Sequence, residues 1–259
     1  MELIDSHCHL PKLKNKDFLE AVLFRAKEAG VVQMINIGTS VKENSLSLEV
    51  AKAYSQVFAT AAIYPHRDMD KTLLELETYL EDFIKEDRQD LVGIGECGID
   101  ISNWDGGRSI QDQVNLFEMQ AKLAKKFDLP LIIHNRQGDE YVLEVLEKIG
   151  PPKGVIHCFS SSWEFAEKVL NLGFYISFSG FITYDSKESL QKVVKKVPNS
   201  RFLIETDSPY LPPEGHRHEK NEPKYVKLIA EKIALTKGVS LEEVAESSTR
   251  NARDLFGLY

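Results

Sequence analysis

The chain has 259 residues, of which 42% are hydrophobic and 28% are charged, and its formal net charge is −8. This composition is ordinary for a globular protein with a sizeable core, and it excludes a disordered or fibrous chain. The acidic balance argues against a protein that coats nucleic acid or anionic membranes through bulk charge, but it leaves room for a local basic groove or a metal site.

The cysteines and the N-terminal sequence indicate the cellular compartment. Cys8, Cys97 and Cys158 are odd in number and contain no CxxC pair, so we expect core packing rather than a disulfide framework. No basic region followed by an apolar run is visible at the N-terminus, and no stretch approaches the roughly 20 apolar residues that cross a bilayer. We therefore expect a cytoplasmic protein with no membrane partner and no obligate protein partner.

Short apolar runs alternate with amphipathic stretches along the whole chain, which predicts alternating buried strands and helices. The predicted strands are Glu2–Asp5, Val32–Ile37, Val57–Ile63, Leu91–Gly95, Leu131–His134, Gly154–His157, Phe174–Phe178 and Phe202–Ile204. The predicted helices are Phe18–Ala29, Thr72–Lys85, Val114–Lys126, Tyr141–Ile149, Trp163–Leu170, Ser189–Val197, Lys224–Thr236 and an additional C-terminal helix, Leu241–Phe256.

Eight βα units in a row, with no linker between them, predict an α/β fold of the (β/α)8 TIM-barrel type, formed by residues 1–259 as a single domain. A doubly wound open sheet is the competing architecture, because strand order cannot be read from the sequence. The positions of the polar residues favour the barrel.

The strongest local motif is an HxH pair directly after the first predicted strand. Side chains two residues apart on an extended chain point the same way, so His7 and His9 can converge on one ion. Imidazole is a common ligand for zinc and related metals, although a catalytic site needs at least three protein ligands. The pair therefore predicts part of a metal site.

Further ligand types follow other predicted strands. Glu96 lies between glycines after the fourth strand, where it is either a solvated loop carboxylate or a ligand at a close backbone approach. His134, His157 and Asp207 follow strands five, six and eight. Each histidine alone is more typical of a core, but barrel enzymes place catalytic groups at the carboxyl ends of their strands. The coincidence over five strands predicts one shared metal site.

Six ligands exceed the needs of one tetrahedral zinc ion. The set fits two divalent metal ions bridged by a carboxylate such as Glu96, a pair that activates water and stabilises both oxygens of a displacement. Mixed nitrogen and oxygen ligands suit Zn or Mn, and suit Mg less well.

The chain resembles the TatD family of metal-dependent deoxyribonucleases, a branch of the amidohydrolase-like metallo-barrels. The resemblance rests on DSHCHL (5–10), YPH (64–66), GECGID (95–100), LPLIIHNR (129–136), IHCFS (156–160), ETDSPYLPP (205–213), NEP (221–223) and NARDLFG (251–257). It implies metal ligation by the same six residues, with Glu96 and Asp207 nearest the reacting water as the catalytic pair. Ser161 departs from the glycine usual after HCFS, which bears on substrate preference.

Other polar residues near the strand ends are candidates for substrate binding. His66 follows the third strand, and Arg136 offers a fork suited to phosphate or, alternatively, a salt bridge to Asp139 or Glu140. Glu205 either orients a ligand histidine or lies outside the barrel. The charged segment 215–222 is expected to line the substrate site rather than to hold a third metal.

The resemblance implies hydrolysis of DNA phosphodiester bonds, and the acidic chain favours short contact with a strand end in an exonuclease-like mode. A preference for single-stranded DNA is a further hypothesis that the charge does not itself predict. A hydrolase of C–N or carboxylic ester bonds in a small molecule is the first alternative, since the fold does not decide between them. A non-catalytic metal-binding scaffold is the second, but a structural metal site needs fewer ligands.

Overall fold

Eight parallel strands in sequential order form a nearly closed barrel. The computed structural model describes residues 1–13, 16–102, 106–150, 153–184, 186 and 188–258, with the side chains of residues 16 and 17 left aside. The strands are β1 (Leu3–Cys8), β2 (Val31–Asn36), β3 (Val57–Ala61), β4 (Leu91–Asp100), β5 (Leu131–Arg136), β6 (Gly154–Ile156), β7 (Tyr175–Phe178) and β8 (Phe202–Ile204).

Helices alternate with these strands, which confirms the predicted (β/α)8 barrel. They are α1 (Lys16–Glu28), α2 (Val41–Ala53), α3 (Leu73–Glu86), α4 (Ile110–Phe127), α5 (Asp139–Ile149), α6 (Trp163–Asn171), α7 (Glu188–Lys196), α8 (Val226–Lys237) and α9 (Leu241–Phe256). Several begin at a side-chain cap, as at Thr72, where a capping box with Glu75 satisfies free backbone amides. The last helix, α9, has the predicted bounds.

The apolar core has two parts because successive residues of a strand face opposite sides of the sheet. On β5, Leu131 and Ile133 belong to the large cluster between the strands and the helices. Ile132, between them, belongs to a second cluster that also contains Leu255 and Phe256 of α9. The second cluster is the barrel interior, and α9 covers its end opposite the carboxyl ends of the strands.

The seam between the first and last strands is held largely by side chains. A single backbone bridge joins Cys8 to Ser208. The Thr206 amide and hydroxyl both donate to the Asp5 carboxylate, at 2.8 and 2.6 Å. The Ser6 hydroxyl donates to the Ile204 carbonyl at 2.9 Å. These contacts fix the carboxyl ends of β1 and β8 beside each other.

Helix α2 was absent from the sequence prediction. Its inward face carries polar residues, so the apolar periodicity that reveals a helix is weak there. Asn44 and Ser47 are fully buried. The Asn44 side chain accepts a hydrogen bond from the Ala62 amide, and the Ser47 hydroxyl donates to the Asn36 carbonyl. Hydrogen bonds to the barrel therefore supplement the apolar contacts of Leu48 in packing this helix.

Candidate metal centre

The six predicted ligands lie together at the carboxyl end of the barrel. They come from five strands or the residues just after them: His7, His9, Glu96, His134, His157 and Asp207. Five are buried, with 0–9% of their surface exposed, and His134 is partly exposed. A polar set of this size requires an internal charge partner, because burying unpaired polar groups is costly.

The first cluster of donor atoms joins β1 to the chain after β8. The Nε2 atoms of His7 and His9 are 3.3 Å apart. Asp207 Oδ1 lies 3.6 Å from His7 Nε2 and 3.4 Å from His9 Nε2. Glu96 Oε2 lies 3.6 Å from each of the same two nitrogens. Four donors thus surround one small space.

The second cluster uses the other oxygen of the same glutamate. Glu96 Oε1 lies 2.8 Å from His134 Nδ1 and 3.0 Å from His157 Nε2. These two nitrogens are 3.2 Å apart. Glu96 therefore connects both clusters, as a bridging carboxylate must.

The donor spacing fits divalent metal ions. Ligands placed 2.0–2.2 Å from a tetrahedral ion are about 3.4 Å from one another, and the donors here are separated by 2.8–3.6 Å. Two imidazole nitrogens that face each other, as in His7 and His9, repel unless a proton or a cation lies between them. Both clusters can accordingly hold a cation, although the identity and the number of the ions do not follow from the donors alone.

The site carboxylates are ionised at neutral pH. Burial alone would raise the pKa of Glu96, but the charge and hydrogen bond of His157 and its neighbours hold it well below its usual value. Burial alone would also raise the pKa of Asp207, but the hydrogen bond with His9 and the charges of the neighbouring histidines together lower it. Conversely, burial alone would lower the pKa of His157, while Glu96 and Glu205 raise it well above its ordinary value. The site attracts positive charge.

Two further buried carboxylates lie behind the imidazoles of the second cluster. Glu205 is fully buried, and its Oε1 lies 3.2 Å from His157 Nδ1 and accepts from the Cys158 amide at 2.7 Å. This position places it inside the barrel and supports the orienting role. Asp100 Oδ2 lies 3.3 Å from His134 Nε2 and accepts from the Tyr64 hydroxyl. Each carboxylate fixes which ring nitrogen of its histidine faces Glu96.

Replacing Glu205 by glutamine is expected to weaken metal binding by about 10- to 100-fold, because the carboxylate behind a ligand histidine sets its orientation and basicity. Affinity is measured by titrating metal-free protein with Zn²⁺ or Mn²⁺ in a calorimeter. Glu147→Gln, an exposed site on α5, serves as the matched control. Equal affinities for both variants would contradict the orienting role.

The two glycines around Glu96 are required by packing between strands. A Cβ on Gly95 would lie 2.4 Å from the Cβ of Ile132, and one on Gly98 would lie 2.1 Å from the His134 carbonyl oxygen. Gly98 also has a φ of +135°. The sequence predicts that the backbone of the Gly-Glu-x-Gly motif closely approaches a bound group. In the structure this backbone closely approaches β5 instead. This close approach lets β4 run on to Asp100, so that Glu96 lies within a buried strand and not in a solvated loop.

A cavity of about 930 Å³ opens above the two clusters. Its wall includes three cationic side chains, Lys12, Arg67 and Arg136, and four aromatic ones, Tyr64, Tyr141, Phe181 and Tyr210. Sequence reasoning identified only Arg136 among these. Lys12 lies two residues after the DSHCHL motif and Arg67 directly follows the YPH motif, and this proximity was the available signal.

Arg136 is exposed and forms no ion pair with any carboxylate in the described parts of the chain. The alternative partner Asp139 instead accepts hydrogen bonds from Asn135 and from Ser161, at 2.6 and 2.8 Å. Ser161, which replaces the usual glycine, thus engages this carboxylate. Arg136 remains available to a ligand in the cavity.

Two other predicted features lie elsewhere. His66 Nε2 is 3.0 Å from the Asp100 carbonyl oxygen, and its Nδ1 accepts from the Arg108 amide, so the ring holds backbone behind the cavity wall. In the segment 215–222, His216 pairs with Glu219 within the segment itself. Among the described residues, neither His66 nor the segment 215–222 lines the cavity, whereas Arg67 and Tyr210 do.

The cysteines are free thiols, and their positions differ. Cys8 and Cys97 are fully buried in the core, as predicted. Cys158 lines the cavity, with its sulfur 3.0 Å from the Ser179 hydroxyl, so core packing is the wrong description for this residue. No helix in the described ranges is long and apolar enough to cross a membrane.

A TIM-type barrel with imidazole and carboxylate donors at the carboxyl ends of its strands is typical of metal-dependent hydrolases. The chain belongs to the TatD-related DNase family, whose model matches residues 4–257. It is 38% identical to the metal-dependent hydrolase YabD of Bacillus subtilis, over 98% of each chain. It is 32% identical to the 3'-5' ssDNA/RNA exonuclease TatD of Pantoea ananatis, over 92% of this chain and 93% of that protein. The crystal structure of the TatD homologue YJJV from Escherichia coli superimposes with a TM-score of 0.91 at 29% identity, over 99% and 98% of the two chains.

Proposed function

We propose that this protein is a metal-dependent nuclease that hydrolyses phosphodiester bonds at the ends of single-stranded DNA. The observation that carries the proposal is the pairing of a two-cluster donor site with three cations, Lys12, Arg67 and Arg136, in one cavity wall. Cations beside a metal site form charge-assisted hydrogen bonds with a phosphodiester anion, whereas an uncharged amide or ester cannot form them. The exonuclease name of the Pantoea ananatis relative supports the same substrate.

The roles of the chain's own residues follow from their positions. The six donors would hold two divalent cations, Zn or Mn because the ligation mixes nitrogen and oxygen, with Mg as an alternative. When bound, these ions supply positive charge that lowers the pKa of a nearby water and offsets charge on the phosphate. Asp207, ionised and 9% exposed at the cavity floor, accepts the proton of the attacking water. Glu96 joins the two clusters, because one of its oxygens faces His7 and His9 and the other faces His134 and His157.

The acidic net charge bears on how the substrate is bound. With a charge of −8 overall, the protein repels a long polyanion except where cations are concentrated. The three cavity cations provide such a place, which favours a short contact with a strand end over tracking along a duplex. Location in the cytoplasm is part of this proposal and is supported by the three free thiols.

The test compares substrates on metal-loaded protein: a single-stranded oligonucleotide, a phosphodiester dye, and a panel of amides and lactones. We expect turnover of the phosphodiesters, with products removed successively from one strand end. Elemental analysis of the active protein identifies the ions. Turnover of the carbonyl compounds alone would overturn the nuclease function in favour of the amidohydrolase alternative.

Replacing Arg136 by alanine is expected to raise the KM for an oligonucleotide by about 10- to 100-fold, because a charge-assisted hydrogen bond contributes about 1.5–3 kcal/mol. Arg136→Lys keeps the charge but lacks the planar guanidinium, so its KM should lie between those of the wild type and Arg136→Ala. Arg253→Ala, at an exposed arginine beside Glu2, removes the same charge outside the cavity. The role fails if both alanine variants change KM equally.

A further inference from the structure

Tyr210 is an aromatic residue in the cavity wall, and 46% of the residue remains exposed. Its ring centroid lies 5.7 Å from that of His9, and the two planes meet at 73°. His9 directs its Nε2 toward Asp207 and Glu96. The tyrosine ring is therefore adjacent to one of the candidate metal ligands.

The backbone that carries this ring is firmly held. The Tyr210 amide donates to the Asp207 carbonyl at 2.9 Å. Asn221, which is fully buried, donates from Nδ2 to the Tyr210 carbonyl at 2.5 Å and to the Thr206 carbonyl at 2.7 Å. Little conformational entropy is then lost when a ligand packs on the ring.

A cation accompanies the ring. Lys12 Nζ lies 5.3 Å from the Tyr210 ring centroid and 3.4 Å from a Glu43 carboxylate oxygen. A nucleotide offers an aromatic base and an anionic phosphate, and the pair of side chains offers a complement to each. Phe18 and Phe24 of α1 are also exposed aromatic residues, but they do not line this cavity.

We propose that Tyr210 is a stacking platform for the base next to the scissile phosphate, with Lys12 against the adjoining backbone, and that this contact selects single strands. The inference rests on the proposed nuclease function. Inside a duplex both faces of each base are covered by its neighbours, so the ring gains a partner only at a base that is unstacked or terminal. Stacking is tolerant of sequence, because every base has a π-face.

The test combines a protein change with a substrate change. Wild type, Tyr210→Ala and Tyr210→Phe are assayed on a single-stranded oligonucleotide and on the same strand with abasic sites at both ends, which keep the phosphates and remove the bases. We expect Tyr210→Ala to raise the KM for the normal strand about tenfold or more, with kcat little changed. It should leave the KM for the abasic strand within about twofold of wild type, and Tyr210→Phe should resemble wild type on both.

Phe24→Ala, at an exposed aromatic residue on the outer helix α1, is the matched control and should change neither KM. Binding of a phosphorothioate strand, followed by fluorescence anisotropy, reports affinity independently of turnover. Equal losses on normal and abasic strands would overturn the stacking role. If wild type cleaves neither strand, the nuclease function itself is wrong, and the two failures are thereby distinguished.

Discussion

Replacing Glu96 by glutamine is expected to lower kcat/KM for phosphodiester hydrolysis by at least about a thousandfold. One carboxylate oxygen faces His134 and His157, and the other faces the pair on β1. An amide presents its NH2 group to one of these nitrogen pairs, so one cluster loses a ligand. The stabilisation at stake is several kcal/mol, and about 4 kcal/mol corresponds to a thousandfold in rate.

The variant is to be compared with Glu147→Gln in steady-state assays, with metal content measured on the same samples. Circular dichroism establishes that the barrel is retained. We expect the glutamine variant to hold less metal than the control. Activity within tenfold of wild type would rule out Glu96 as the shared ligand.

Removal of metal by a chelator is expected to abolish activity and to lower Tm by about 5–15 °C. An ion that binds only the folded chain stabilises it by about 2.7 kcal/mol at a concentration 100 times its Kd, and by about 4.1 kcal/mol at 1,000 times. For a domain of this size, each kcal/mol changes Tm by about 2–4 °C. Scanning calorimetry with and without added Zn²⁺ or Mn²⁺ measures the change.

The Glu96→Gln variant provides an internal comparison for the chelation experiment. Having lost one shared ligand, it should show a smaller rise in Tm on metal addition than wild type. A wild-type Tm that is insensitive to metal would mean that the ions do not bind the folded state at the proposed site.

The barrel could be predicted from the sequence because its strands are buried on both sides and appear as compact apolar runs. The prediction of helices and strands failed where the buried residues are polar. Helix α2 packs through Asn44 and Ser47 as well as Leu48, and the hydrogen bonds of the two polar residues to the barrel weaken its apolar periodicity. Strand β4 was predicted to end at Gly95 because Glu96 interrupts the apolar run, although it continues to Asp100.

The convergence of the six candidate donors could be predicted because parallel strands bring their carboxyl ends to one face of the barrel. Residues whose importance depends on a neighbour from another strand could not. Asp100 matters because it lies behind His134, and Tyr210 because the loop after β8 turns its ring into the cavity. His66 shows the converse, since its position after β3 does not reveal that its ring contacts the backbone of Asp100 and Arg108.

The side-chain seam between β1 and β8 has a consequence for biosynthesis. Thr206 and Asp5, which close it, are 201 residues apart in the chain. His7 and His9 are made first, but Asp207 arrives only with the last strand, and α9 must follow to cover the far end of the barrel. Contacts between such distant residues form late, because the chain between them must first be closed into a loop. A partly synthesised chain that stops before β8 therefore lacks Asp207 and the complete donor set, and hydrolytic activity requires that both β1 and β8 have been made.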